Sequence, residues 1–169
     1  KDAFIKLFYF MEDHPRVGVA GPKQFNLDGT VQETCFRWPG LLTPLYRRTP
    51  LGKIGLAKRD LDRFLYKDYN KDKIGEVDWL LGSFLFCRAE ALRQVGAFDE
   101  RFFLYFEDID LCRRFWRGGW QVIYNPDAAI THNHARQSAK TPWYKFFKSL
   151  AAWRHLASWI KYLWKWRGK

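Results

Sequence analysis

The sequence lacks the features that mark several common protein classes. Its three cysteines, Cys35, Cys87 and Cys112, are an odd number without a Cys-x-x-Cys pair, so neither a disulfide framework nor a zinc ribbon is expected. No apolar run reaches the length of a transmembrane helix, and the chain begins with neither a signal-peptide pattern nor a methionine. These absences favour a reducing compartment and a chain that starts within a longer protein.

Acidic residues are absent after Asp127, whereas nine lysines and arginines follow it. This stretch carries most of the formal net charge of +11. A basic segment of this kind is attracted to an anionic surface, either a membrane or a nucleic acid, and the attraction weakens as salt rises. The rest of the composition, 47% hydrophobic and 19% aromatic over 169 residues, predicts one folded domain whose aromatic surface meets a partner, a carbohydrate or a lipid.

Apolar periodicity predicts helices that alternate with strands, and therefore an α/β fold. Residues 37–76 depart from this pattern, and we expect a long irregular excursion there with one helix, as in many active-site lids. The predicted helices cover 3–11, 57–66, 89–95 and 107–117, and the predicted strands cover 17–20, 31–36, 83–87, 121–124 and 129–132.

Three carboxylates, Glu107, Asp108 and Asp110, open the predicted helix at 107–117. Acidic residues stabilise the N-terminus of any helix through its dipole, so these positions need no function to explain them. The four aromatic residues just before them favour a second interpretation, because they would exclude water and raise the pKa of one carboxyl. On that interpretation Asp108 projects from a fixed helix end into a cleft.

The order of motifs in this part of the chain resembles the C-terminal half of family 2 inverting glycosyltransferases, especially rhamnosyltransferase-like members. The central motif is Glu107-Asp-Ile-Asp110-Leu-Cys-Arg113. Further matching segments lie at 77–83, 96–103, 118–120 and 126–132, with looser matches at 17–22 and 28–30. The resemblance covers about residues 16–138 and is specific as a set, although each segment alone is a weak signal.

The resemblance implies a GT-A type (Rossmann-like) domain that transfers a sugar from a nucleotide-diphosphate donor to an acceptor hydroxyl with inversion. Asp108 matches the family's catalytic base, and Glu107 beside it shapes the electrostatic field. A divalent metal, Mg²⁺ or Mn²⁺, would balance the leaving diphosphate, and His132 matches a position that helps to bind it. His134 lies two residues further and stays ambiguous, because two such histidines are also common on a surface strand.

Trp79, Gly82 and Ser83 match the segment that lines the acceptor and donor cleft in the family. An indole can stack on a sugar ring, and a glycine lets substrate approach the backbone. Trp79 is nearly as well explained as an ordinary core residue. Asp110 and Arg113 are expected to lock the helix or to contact Glu107 instead of touching substrate.

The family's N-terminal half, with its nucleotide-binding strands and metal-binding Asp-x-Asp loop, has no counterpart in this sequence. The strings Asp60-Leu-Asp62 and Asp108-Ile-Asp110 do not follow a strand, so neither is interpreted as that loop. We therefore divide the chain into a C-terminal portion of a GT-A domain at 1–138 and a basic tail at 139–169. Alone, such a fragment is expected to bind the donor and the metal poorly and to have little or no turnover.

The tail is predicted to form a basic, aromatic amphipathic helix with one apolar stripe. Tryptophans and lysines outside that stripe favour a helix that lies in a membrane interface, although a helix docked on the domain is an equal alternative. Nucleic-acid binding is a third and less favoured interpretation, since no nucleic-acid module accompanies the segment. The stripe consists of Phe146, Leu150, Trp153, Ala157, Ile160 and Trp164, and the predicted membrane contacts are Trp143, Lys148, Trp159, Lys161, Lys165 and Trp166.

The sequence thus predicts a membrane-associated enzyme fragment at the cytoplasmic face of the cell membrane. Its expected partners are a nucleotide-diphosphate sugar, a glycan or lipid-linked acceptor and an anionic membrane surface. The alternative is a non-catalytic module that binds a membrane or a partner protein through the tail.

Overall fold

The computed structural model describes residues 2–133 and 150–168 and has the expected mixed α/β architecture. Seven helical segments and six strands are present in these ranges. The helices are α1 (Ala3–Asp13), α2 (Thr43–Tyr46), a 3₁₀ turn (Pro50–Lys53), α3 (Gly55–Phe64), α4 (Ala89–Val95), α5 (Glu107–Arg117) and α6 (Leu150–Trp166). The strands are β1 (Val17–Phe25), β2 (Cys35–Phe36), β3 (Gly75–Glu76), β4 (Trp79–Leu80), β5 (Phe86–Cys87) and β6 (Gln121–Thr131).

A four-stranded sheet with the order β3-β6-β1-β5 forms the centre of the fold. The two long strands, β1 and β6, are parallel, and the short edge strands β3 and β5 are antiparallel to them. A second, two-stranded sheet pairs β2 with β4. The connection from β1 to β6 brings α5 against the sheet, and the carboxyl ends of both long strands lie at the same edge.

Both long strands extend further than the sequence predicts. The sequence predicts a strand that ends at Ala20, before Pro22, and two separate strands at 121–124 and 129–132. The register instead shifts between Pro22 and Lys23, so that Pro22 pairs with Asn125 and Lys23 with Ala129. Because a bulge accommodates the extra residues 126–128, the pairing resumes beyond it and continues to Phe25 and Thr131.

The excursion between β2 and β3 contains the one expected helix, α3, together with the short α2 and the 3₁₀ turn. The carboxylate of Asp60 accepts a hydrogen bond from the hydroxyl of Thr43 at 2.5 Å, which joins α3 to α2. Asp62 pairs with the ammonium groups of Lys58 and Lys67. Both acids of the first Asp-x-Asp string therefore make local contacts within the excursion.

The last helix, α6, docks on α5 through a buried carboxylate. Asp110 is fully buried, and it accepts hydrogen bonds from the indole N–H of Trp166 at 2.9 Å and from the Lys165 ammonium at 2.9 Å. The guanidinium of Arg113 lies over the Trp166 ring at 4.7 Å and donates a hydrogen bond to the hydroxyl of Tyr162. Asp110 and Arg113 thus lock helices together, as expected, and one face of α6 is docked on the domain.

This docking corrects two of the predicted membrane contacts, Lys165 and Trp166. Lys165 and Trp166 point into the domain, because Asp110 supplies a buried acceptor for both. Trp159 is partly buried and packs against the main core, whereas Lys161 lies on the surface and donates a hydrogen bond to the carbonyl of Arg101. Trp143, Lys148, Phe146 and His134 lie outside the described residues. Among the described residues, no helix combines the length and the hydropathy needed to cross a bilayer.

Replacing the buried carboxylate should release α6. We expect Asp110→Asn to lower the free energy of unfolding by about 3 kcal/mol, because Lys165 and Arg114 would then be left without their buried counter-charge. Urea unfolding followed by circular dichroism measures the change. The exposed Asp127→Asn serves as the matched control and should alter stability by less than about 0.5 kcal/mol. Equal stability of the two variants would contradict the role assigned to Asp110.

Candidate active site

A strained turn places the two carboxylates at the start of α5. Tyr105 and Phe106 have φ angles of 67° and 68°, the left-handed region that residues other than glycine rarely adopt. Side chains of α6 pack on this turn: His155 lies against the rings of Tyr105 and Phe106, and Tyr162 lies 5.4 Å from Phe106. Ser158 donates a hydrogen bond to the carbonyl of Leu104. Packing from α6 therefore holds the backbone that aims Glu107 and Asp108.

Asp108 is buried at the N-terminal end of α5, and two backbone N–H groups orient its carboxylate. One oxygen, Oδ2, accepts a hydrogen bond from the N–H of Gly82 at 3.0 Å, and the other, Oδ1, accepts one from the N–H of Ile109 at 2.9 Å. Burial raises the pKa of Asp108, while these two hydrogen bonds oppose the rise. A carboxylate oxygen can accept more than one hydrogen bond, so each oxygen of Asp108 can accept another from a further donor.

Glu107 sits beside Asp108 in a different environment. Its Oε2 atom is buried and has no hydrogen-bond partner within the described parts of the chain. Burial, and then the neighbouring charge of Asp108, raise the pKa of Glu107 to about 7. The sequence predicts a raised pKa for one of the two carboxyls, whereas burial raises the pKa of both. Of the aromatic residues before them, Phe102 and Phe106 are buried in the core and Phe103 is exposed.

Gly82 and Ser83 connect this carboxylate to the carboxyl end of β1. A side chain at position 82 would place its Cβ atom 3.3 Å from the Cβ of Asp108, so glycine allows the backbone to approach the Asp108 side chain closely. The hydroxyl of Ser83 donates a hydrogen bond to Oε1 of Gln24 at 2.9 Å. Gly82 therefore lies against Asp108, and the next residue, Ser83, lies against the end of β1.

Trp79 does not line an open cleft in this structure. Its ring stacks on Phe36 with the centroids 4.4 Å apart, and its indole N–H donates to the carbonyl of Arg37. Phe64 packs beside them, and Trp79 is 3% exposed. The prediction that this indole stacks on a sugar is thus corrected to the core alternative, because both residues of β4 are buried.

His132 lies just beyond the end of β6. Its backbone N–H donates to the carbonyl of Phe25, and its Nδ1 atom is 3.2 Å from Oε1 of Gln32. The amide of Gln32 also donates to the carbonyls of His132 and Phe25. In residues 2–133 and 150–168, no three His, Cys, Asp or Glu side chains come together in a way that could hold a metal ion. His132 and its described neighbours do not by themselves fit a cation.

The two buried glutamines, Gln24 and Gln32, are site residues that sequence reasoning missed. Gln24 contacts Ser83 at the end of β1, and Gln32 contacts His132, so hydrogen bonds of these glutamines link the two predicted parts of the site. The backbone N–H of Gln32 also donates to the carbonyl of Gln24. The sequence signal that could have identified Gln24 is its side-chain amide within the mainly apolar segment 17–25. A polar side chain buried in such a strand needs a hydrogen-bond partner, which indicates a polar contact at that point.

The fold, the buried carboxylate pair and the glycine turn together define the class of protein. The chain matches the family described as Glycosyl transferase family group 2 over residues 1–167, and it belongs to that family. Its sheet and helices are consistent with a GT-A type glycosyltransferase domain. The match includes α6, the helix that docks on Asp110.

Similar proteins include several bacterial sugar transferases. The chain is 32% identical over 140 residues to the N-acetylglucosaminyl-diphospho-decaprenol L-rhamnosyltransferase of Mycobacterium tuberculosis, a match that covers 76% of this chain and 41% of the relative. It is 37% identical over 89 residues to rhamnosyltransferase WbbL of Escherichia coli, covering 52% of this chain and 31% of the relative. The chain thus spans about two fifths or less of the length of these relatives.

The raised pKa of Glu107 predicts a distinctive pH dependence of stability. Between pH 4.5 and about 7 the unfolded chain releases the Glu107 proton while the folded chain keeps it, so this residue lowers stability as pH rises. His155, whose pKa burial lowers to about 3, acts in the opposite direction and obscures the slope in the unmodified chain. We expect Glu107→Gln to gain stability relative to the unmodified chain as pH increases from 4.5 to 8.

Urea unfolding at several pH values measures this difference directly, because the His155 contribution cancels between the two proteins. Glu100→Gln is the matched control, since Glu100 is exposed and lies seven positions earlier. Its unfolding free energy should follow that of the unmodified chain at every pH. Parallel curves for Glu107→Gln would show that Glu107 has an ordinary pKa.

Proposed function

We propose that this chain is the base-bearing part of an inverting glycosyltransferase. The donor is a nucleotide-diphosphate sugar, and the acceptor is a hydroxyl of a glycan or of a lipid-linked saccharide. Rhamnose is the first candidate for the transferred sugar, because two of the similar proteins are named rhamnosyltransferases. One of those names specifies a diphospho-decaprenol acceptor, which supports a polyprenyl-diphosphate acceptor here and a role in surface polysaccharide synthesis.

The single observation that carries the proposal is the environment of Asp108. Two backbone N–H groups fix the direction of its carboxylate, and burial raises its pKa toward the range in which a carboxylate is an effective base. An exposed acid that merely stabilised the helix dipole would need neither the burial nor the contact with Gly82. The helix-stabilising interpretation therefore explains less of what is observed.

In the proposed step, the acceptor hydroxyl gives its proton to Asp108 while its oxygen forms a bond to the anomeric carbon. The bond from that carbon to the donor phosphate breaks at the same time, and its electron pair leaves with the nucleoside diphosphate. Attack from the face opposite the leaving group inverts the anomeric carbon. Glu107, with its pKa near 7, sets the local field and can hold a proton beside the base.

Family 2 enzymes generally use a divalent cation, and the resemblance gives His132 a part in holding it. Because the described residues do not fit a metal site, the cation would need donors from outside them, such as the Asp-x-Asp loop expected in the family's N-terminal half. For the same reason, we propose that the 169-residue chain alone has little or no turnover.

Changing the base tests the proposal. In the full-length gene product, Asp108→Asn should lower kcat by about 10²- to 10⁴-fold, because the amide cannot accept the acceptor proton. Transfer is measured with a nucleotide-diphospho-rhamnose donor and a polyprenyl-diphosphate-linked sugar. Donor affinity, measured by calorimetry, should change little.

Asp127→Asn is the matched control, since Asp127 is exposed on β6, and it should keep full activity. Turnover by Asp108→Asn within a few-fold of that control would exclude Asp108 as the base. A non-catalytic module would show no transfer with any variant.

A further inference from the structure

The apolar stripe of α6 faces away from the domain. Leu150, Trp153, Ile160 and Trp164 are 65%, 50%, 57% and 71% exposed, respectively. The residues that dock the helix lie on its opposite side, where Ala152, Ser158, Tyr162 and Trp166 are buried. Helix α6 therefore uses its more polar face for packing and presents its most apolar one to the outside.

A second group of exposed apolar residues lies in the excursion around α2 and the 3₁₀ turn. This group, which we call the leucine ridge, consists of Leu41, Leu42, Leu45, Leu51, Ile54 and Leu56, and each is at least 44% exposed. The ridge and α6 are neighbours: the charges of Arg48 and Arg47, which follow Leu45, contribute to the low pKa of His155 on α6. The end of α2 therefore approaches α6 on the side of His155, which packs on the turn that carries Glu107 and Asp108.

Every charged side chain within α6 and within residues 41–59 is cationic. Arg154 and Lys161 are exposed on α6, and Arg167 is exposed just after it. Lys53, Lys58 and Arg59 are exposed in the excursion. Apolar side chains accompanied by cations on the same segment complement a surface that has an apolar interior and an anionic outer layer.

We propose that the α6 stripe and the leucine ridge insert together into the interfacial layer of an anionic phospholipid bilayer. Tryptophan is suited to that layer, because its ring is apolar and its indole N–H can face the headgroups. Leucine and isoleucine side chains would gain nothing on a nucleic-acid backbone, which distinguishes this surface from a nucleic-acid site. The inference does not rest on sugar transfer, since vesicle binding requires no turnover.

Tryptophan variants on opposite faces of α6 test the proposal in the 169-residue chain. Co-sedimentation uses vesicles of phosphatidylcholine with about 30% phosphatidylglycerol, an anionic fraction sufficient for basic residues to act. Trp153→Ser with Trp164→Ser should weaken binding at least tenfold, because each change removes a large apolar group from the bilayer. Phe8→Ser, at an exposed aromatic position on α1, is the matched control and should bind as the unmodified chain does.

A second measurement does not depend on any loss of affinity. Brominated lipids quench tryptophan emission at short range, so Trp164→Phe should reduce the quenched fraction. Trp166→Phe should leave that fraction unchanged, because Trp166 is 7% exposed and faces Asp110. Circular dichroism of each variant verifies that α6 remains folded.

The proposal would be overturned if the unmodified chain did not bind anionic vesicles, if the double variant bound them as well as the unmodified chain, or if Phe8→Ser lost as much affinity as the double variant. It would also be overturned if the quenched fraction fell in Trp166→Phe but not in Trp164→Phe. Tighter binding to a single-stranded oligonucleotide, lost in the same double variant, would assign the surface to nucleic acid instead. Concentration-dependent dimers that dissociate in the double variant, without vesicle binding, would assign it to a second copy of this chain. Vesicle binding without sugar transfer would support this inference and count only against the proposed function.

Discussion

The buried carboxylate of Asp110 is the interaction on which the rest of the structure depends. Taking an ionised carboxylate out of water costs several kcal/mol, so it must be surrounded by donors. The guanidinium of Arg114 donates one hydrogen bond to Asp110, and it also donates to the carbonyls of Val95, Gly96 and Ala97 at the end of α4. Lys165 and Trp166 supply the others from α6. The Asp110 carboxylate thus links its own helix, α5, to α6 directly and to α4 through Arg114.

The site shows how neighbouring carboxyl groups acquire different properties from their surroundings. Asp108 is oriented by the backbone at Gly82 and Ile109, whereas Glu107 has a buried oxygen to which no described residue donates a hydrogen bond. Asp110, two residues after Asp108, is neutralised by cations and has a structural role. Three acids of one motif therefore differ in function because their partners differ: backbone donors for one, none described for another, and cations for the third.

The sequence predicts the elements with strong local signals. Helices α4 and α5 have the predicted bounds, because Gly96 and Gly118 end them and acidic or small residues begin them. The strands were less predictable, because long-range pairing between β1 and β6 extends both past their prolines.

The family and the position of Asp108 at the start of α5 could be inferred from the order of the sequence motifs. The side of α6 that faces the domain could not be inferred. Periodicity defines an apolar stripe but not whether it points toward the domain, and the buried Asp110 binds residues on the opposite, more polar side of the helix. Trp79 and the two glutamines likewise depend on tertiary contacts.

The left-handed pair Tyr105 and Phe106 has a consequence for how the site is assembled. The side chains that hold this strained pair, His155 and Tyr162, lie about fifty residues after it along the chain. On a ribosome the carboxylates are thus synthesised well before the helix that fixes their direction. The nascent protein carries every acid of the motif but reaches this geometry only once α6 has left the exit tunnel, so the synthesis of α6 governs when the site matures.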